Sequence, residues 1–188
     1  MKVQDSGMPK EEMWSKFFEP EKFLQIMGLT TDLQTVVDLG CGFGTFSIPA
    51  SQMIKGKVHA FDIDPDMIAQ LQTKVDALNI KNIELLQADF ISEGTGMLDN
   101  SVDYVMLFNI LHHDNPFQIL KEVHRIMKVG ATAGIIHWRS DINTPRGPKL
   151  DIRPKPDQIK QWAIQSGFSV QFETLLEPYH FGIIINKF

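Results

Sequence analysis

Between Thr35 and Trp138 the sequence alternates between short β-branched runs and stretches of helical periodicity. Val36-Val37-Asp38-Leu39 reads as a buried strand, and a glycine-rich turn leads from it into a helix over about Thr45 to Ile54. Val58 to Phe61 reads as a second strand. Pro65, with Asp64 as N-cap, then opens a helix whose apolar face is Ile68, Leu71, Val75 and Leu78. Ile83 to Leu86 and Val102 to Phe108 supply the third and fourth strands. The next helix runs from about Asn115 to Met127 with Phe117, Leu120, Val123 and Met127 as its stripe; Gly130 ends it, and Ala131 to Trp138 makes a fifth strand. Strands joined by helical crossovers run parallel, and continuously apolar strands belong to a sheet covered on both faces. The expected fold class is therefore α/β, a doubly wound sheet that takes ligands at the carboxyl ends of its strands. Phe168 to Leu175 and His180 to Asn186 add two strands with only Glu177-Pro178-Tyr179 between them, too short for a crossover, so this pair is antiparallel.

A chain of 188 residues has room for one domain, and we expect residues 1–188 to form it. Residues 1–30 are expected to be a helical segment, Glu11 to Phe18 and Pro20 to Met27, whose Trp14, Phe17, Phe18 and Phe23 either close over a ligand or pack on the core. A net charge of -5 argues against a dedicated nucleic-acid binder. The single Cys41 excludes an internal disulfide and any CxxC metal or redox motif. No apolar run approaches the roughly 20 residues of a membrane span, and nothing at the N-terminus resembles a signal peptide. A cytoplasmic protein is the expectation; self-association is left open.

Asp38-Leu39-Gly40-Cys41-Gly42-Phe43-Gly44 is the most specific motif in the chain. Glycines at alternate positions between a strand and a helix let the backbone turn sharply and lie close against a ligand. The dinucleotide fingerprint G-x-G-x-x-G would place its third glycine at Thr45, so the spacing departs from a nicotinamide site. The run, with its leading acid, resembles motif I of the class I S-adenosylmethionine-dependent methyltransferases, and the chain is similar to their small-molecule, ubiquinone-biosynthesis-like group. That resemblance implies a Rossmann-like, seven-stranded sheet, mostly parallel with an antiparallel last strand. It implies S-adenosylmethionine as cofactor. It also implies roles by position: Asp38, Gly40, Cys41, Gly42 and Gly44 around the cofactor, Asp62 on the ribose hydroxyls, Ile63 on the adenine, Ala88-Asp89-Phe90 at the adenine amino group, and Asn109 beside the methionine moiety.

The acceptor is less legible. His112 and His113 follow the fourth strand and His137 lies near the end of the fifth, so these three are the candidates for a general base. The alternative is that they cap a helix or line the cofactor. Adjacent histidines with no third partner make a poor metal site, and none is expected. His180, at the start of the last strand, is left undecided. The segment from Trp138 to Pro156 carries Arg139, Arg146, Lys149, Arg153 and Lys155 against Asp141 and Asp151. It reads as a substrate-side wall, with Trp138, Arg139, Arg146 and Arg153, that favours a small anionic acceptor. Solvated loop charges or a subunit contact are the alternatives. The sequence offers neither the Asn/Asp-Pro-Pro-Tyr of DNA amino-methyltransferases nor a Pro-Cys nucleophile after the fourth strand. Methyl transfer to a small molecule is the functional expectation; a binding protein on the same fold without transfer activity is the alternative.

Overall fold

Every strand whose residues alternate between two apolar sets has to be covered twice, and the computed structural model, which describes residues 17–188, shows how. The elements are α1 (Pro20–Ile26), β1 (Thr35–Leu39), α2 (Ser47–Met53), β2 (Lys57–Asp62), α3 (Pro65–Ala77), β3 (Ile83–Gln87), β4 (Val102–Phe108), α4 (Pro116–Ile126), β5 (Met127–Trp138), α5 (Pro156–Gln165), β6 (Phe168–Leu176) and β7 (His180–Lys187). The strands form one seven-stranded sheet in the order β3-β2-β1-β4-β5-β7-β6. Neighbours from β3 to β5 pair in parallel, and β7 runs antiparallel to both β5 and β6. The order reverses between β1 and β4, which makes the carboxyl ends of these two strands the switch point where such sheets bind ligands.

The two cores follow from the period-two alternation of the strands. Val36, Tyr104, Met106 and Phe108 face one way and pack with Phe23, Leu24 and Met27 of the α1 region and with Ala50 and Leu71. Val37, Leu39, Val105 and Leu107 face the other way, against Leu120 and Val123 of α4 and Ile159 of α5. Tyr104 Oη donates to the carbonyl of Met27 (2.7 Å), which ties the end of the α1 turn to the middle of the sheet. Trp14 and most of the helix expected over Glu11 to Phe18 lie outside the described residues.

Three expectations are corrected. Gly130 does not end a helix: α4 stops at Ile126 and β5 begins at Met127, with Gly130 inside the strand at φ +82°. The helix end is held from a distance, since Lys187 Nζ donates to the carbonyls of His124 and Met127. The buried stripe of α4 is Ile119, Leu120, Val123 and Ile126, and Phe117 is exposed on its outer side. Leu78 is the C-cap of α3 and faces solvent, outside that helix's buried face.

Candidate active site

The glycine loop after β1 is folded onto the end of β2. The amides of Gly40 and Cys41 both donate to the Phe61 carbonyl (2.8 and 2.9 Å), and Gly44 N donates to Cys41 O (2.9 Å). Gly40 and Gly44 have φ near +80°, which a side chain rarely adopts, and a Cβ on Gly44 would collide with Leu71 Cδ1. Asp62, the last residue of β2, accepts from Gly42 N through Oδ2 (2.8 Å) and from Asp64 N through Oδ1 (3.0 Å). From α3, Lys74 Nζ reaches back to the Phe43 carbonyl (2.7 Å). Beneath the loop the Asp38 carboxylate accepts from Ser47 Oγ at the start of α2.

Part of this loop lines a cleft of about 340 Å³, counted out to the solvent, together with Asp38, Thr45, Phe46, Phe108 and Asn109. Two rings, Phe46 and Phe108, meet edge to face at 4.6 Å in its wall. Burial raises the Asp38 carboxyl to about 7, against the hydrogen bond from Ser47 and with a further push from the charge of Asp62. Desolvation also raises Asp62, opposed by the amides of Asp64 and Gly42. Burial first, then the two aspartates, pushes the Cys41 thiol up, so Cys41 is no nucleophile.

The other expected cofactor residues lie along the same edge. Ile63 is 46% exposed, an apolar side chain beside Asp62 that no core covers. Ala88 N donates to the Asp62 carbonyl (3.0 Å), and Phe90 is buried. Asp89 Oδ1 accepts from the amides of Ile91 and Ser92, and its carboxyl is lowered chiefly by the Ser92 hydroxyl. Asn109 sits at φ +57° with its amide on Ile136 O (2.7 Å), and its buried Oδ1 has no hydrogen-bond partner. A glycine cradle, a buried carboxylate at each of two adjacent strand ends and an unsatisfied amide oxygen therefore share one edge of the sheet. A methyltransferase domain model matches residues 36–130, the span that contains all of them.

The chain belongs to the methyltransferase domain family. Over 97 residues it is 31% identical to the demethylmenaquinone methyltransferase of Bacillus mycoides (strain KBAB4), a match covering 50% of this chain and 40% of that protein. Over 109 residues it is 29% identical to the ribosomal protein L11 methyltransferase of Thermoanaerobacter pseudethanolicus (strain ATCC 33223 / 39E), covering 56% of this chain and 33% of that one. The chain thus spans less than half the length of these curated relatives. A SAM-dependent methyltransferase from Aquifex aeolicus superposes with a TM-score of 0.82 at 29% identity, over 90% of each chain. The fold is that of a class I methyltransferase, and the cofactor that this membership brings is S-adenosylmethionine. The unsatisfied Asn109 Oδ1 and the two carboxylates suit that ligand, which carries an ammonium group and two ribose hydroxyls as donors.

The acceptor side differs from expectation. His113 Nδ1 accepts from the Asn115 amide (3.1 Å), at the residue whose own side chain caps α4, so His113 belongs to the helix start. His112 and His137 meet edge to face at 5.4 Å. Burial lowers His112 to about 4, with the charges of His113 and Arg153 adding, and holds His137 well below the usual imidazole range. Neither His112 Nδ1 nor His137 Nε2 has a hydrogen-bond partner.

Trp138 is fully buried rather than part of an open wall, stacked on Tyr179 and met edge-on by Phe17. Gly147 lies against its indole, where a Cβ would come within 2.8 Å of Cδ2. Arg139 is paired with Asp141 (2.9 Å), with Glu177 at 3.8 Å. Arg146 is exposed, and its carbonyl accepts from Thr144 Oγ1 and Arg153 Nη2. Arg153 turns inward: its guanidinium donates to the carbonyls of Pro148, Arg139 and Arg146 and is 7% exposed. Of the four residues expected on the substrate-side wall, Trp138 and Arg153 are therefore buried, and Arg139 and Arg146 are not. Ser47, Lys74 and Phe46 escaped the sequence reading because nothing near them in sequence marks their long-range contacts. Among the described residues no cluster suits a metal ion, and no helix is long and apolar enough to cross a membrane.

Proposed function

We propose that this chain transfers a methyl group from S-adenosylmethionine to a small, anionic acceptor bound over the carboxyl ends of β4 and β5. The observation that carries the reading is Asp62, a buried carboxylate fixed by two backbone amides at the edge of the cleft. Each of its oxygens keeps a second acceptor position, which suits the two hydroxyls of a ribose. Ile63 offers an apolar face to the adenine, and Asp89 lies at the end of β3 where the amino group would fall. Asp38 and the Asn109 Oδ1 present acceptors to the ammonium group. Such a cation also favours the ionised form of Asp38.

When bound, S-adenosylmethionine supplies a methyl group already activated on sulfur: the bond from the acceptor atom to carbon forms as the carbon–sulfur bond breaks, and the electron pair leaves with sulfur. The protein's part is alignment and exclusion of water, and positioning of this kind is worth effective molarities of about 10⁵–10⁸ M. Phe46 and Phe108 give the cleft an apolar wall, which a charge that disperses in the transition state favours. An acceptor that arrives as an anion needs no general base, which fits His112 and His137 being held neutral and weakly basic. The demethylmenaquinone and ribosomal-protein relatives act on different acceptors, so their names support methyl transfer and leave the acceptor to the site itself.

Incubation with methyl-tritiated S-adenosylmethionine and a panel of aromatic acids and phenols tests the proposal. Transfer of label to at least one anionic member, with matching release of S-adenosylhomocysteine, is the expected result. Tight binding of both sulfur ligands with no transfer to any member would instead favour a binding protein on this fold.

A further inference from the structure

Arg153 is a buried cation with no counter-ion among the described residues. Its guanidinium lies over the Trp138 ring at 5.6 Å and donates to three backbone carbonyls, yet no described carboxylate lies within 4.0 Å of it. A buried charge is costly unless it is paired, and carbonyl dipoles compensate only part of that cost. Three of its five N–H donors are used, so two remain to be satisfied.

The neighbourhood holds a second set of unsatisfied groups. His137 is fully buried with Nε2 unpartnered, and His112, packed edge-on against it, has Nδ1 unpartnered. The carbonyl that takes Arg153 Nη1 belongs to Arg139, two residues beyond His137 in the chain. The register pairs His137 with Phe181 and Trp138 with His180, so His180 lies on the opposite face of the sheet. The charged and titratable groups that act on His112 are His113 and Arg153, and those that act on His137 are His112, His180 and Arg153; no carboxylate is among them. Arg153 packs on Trp138, on the His180 side of β5, and the two imidazoles lie on the other side, so the cation and the imidazoles approach the carboxyl end of the strand from opposite faces.

We infer that Arg153 forms the subsite for the anionic oxygen of the methyl acceptor, a carboxylate or a phenolate. This deepens the proposed function and rests on it. The anion would take the two remaining guanidinium donors. The charge selectivity of the site then comes from one inward-facing arginine and not from the exposed cations of the loop.

Calorimetry on the S-adenosylhomocysteine-loaded protein tests this with benzoate, its neutral isostere benzamide, and 4-nitrophenol as the phenolate source. Benzoate is expected to bind at least tenfold more tightly than benzamide. 4-Nitrophenol is expected to bind as the coloured phenolate at a pH where the free phenol is mostly protonated. Arg153→Met should abolish the benzoate preference while S-adenosylhomocysteine affinity stays within twofold, and Arg153→Lys should keep part of the preference. The nitrophenolate band needs no variant, so a misfolded Arg153→Met protein leaves the test intact. Equal binding of benzoate and benzamide, or no binding of either anion by protein that does bind S-adenosylhomocysteine, overturns the subsite and leaves methyl transfer standing. Loss of S-adenosylhomocysteine binding in a folded Arg153→Met protein overturns it too, because the anion would then be the cofactor's own carboxylate. Wild-type protein that binds no S-adenosylhomocysteine removes both proposals.

Discussion

The two sides of the switch point bury opposite charges, and they hold them in opposite ways. Around β1 and β2 the buried groups are Asp38 and Asp62, each held by hydrogen-bond donors: Ser47 for one, Gly42 and Asp64 for the other. Around β4 and β5 the buried charge is Arg153, held by carbonyls of its own loop, with orphaned imidazoles nearby. The first arrangement is complete before a ligand arrives, apart from Asn109 Oδ1. The second is not. Preformed polar groups suit a cofactor that every turnover shares, whereas an unpaired charge suits a ligand that supplies the missing partner.

Glycine substitutions should separate the two sides with the largest effect. Gly44→Ala meets both a φ of +78° and the Leu71 side chain, and is expected to cost roughly 3 kcal/mol of stability and to weaken S-adenosylhomocysteine binding. Gly147→Ala, at φ +104° against Trp138, is expected to cost about 1–3 kcal/mol and to leave that affinity unchanged. Thermal melts and calorimetry on both variants check this; weakened S-adenosylhomocysteine binding in Gly147→Ala would join what we treat as separate.

Titration should distinguish the buried anion from the buried bases. Asp38 is raised from 3.8 to about 7, so the folded state holds the proton that the unfolded chain has lost, and its contribution to stability falls as pH rises from about 4 to 7. Asp38→Asn removes that slope and should be more stable than wild type at pH 8, by roughly 3 kcal/mol, with little difference at pH 4. His180 has the opposite sense. Burial, then Arg153, lowers it from 6.5 to about 3, so stability is full above 6.5 and is lost as pH falls through this window. His180→Phe should flatten acid unfolding between pH 6.5 and 4, measured by denaturant melts at each pH. A steeper acid limb in that variant would show that the ring has a partner we have not assigned.

The smallest effect is expected at Arg139→Gln. Its pair with Asp141 is partly exposed and in the range of about 0–1 kcal/mol, so melts should barely move, and the preference for anions should persist. A lost anion preference in that variant would shift the charge selectivity from Arg153 to the loop surface.

The same contrast explains what was legible in the sequence. The strand order's switch point, the glycine cradle and Asp62 are marked by residues a few positions apart, and local patterning reports such features well. Gly130 was misread because α4 ends on Lys187, 60 residues beyond Met127, whose carbonyl it holds. In the basic loop a count of charges treats Arg153 like Arg146, whereas only the folded loop carbonyls draw one inward and leave the other in solvent. Trp138 looked like a wall because its place at a strand end was visible, but not Gly147 and Tyr179 closing over it.

The most direct test is a crossed titration: S-adenosylhomocysteine binding by wild type, Asp62→Ala and Arg153→Met, by isothermal calorimetry. Two charge-assisted hydrogen bonds are lost with the Asp62 carboxylate, so its removal should weaken binding by about 100-fold or more, while Arg153→Met stays within about twofold of wild type. Unchanged affinity in a folded Asp62→Ala protein would contradict the assignment of this cleft to the cofactor.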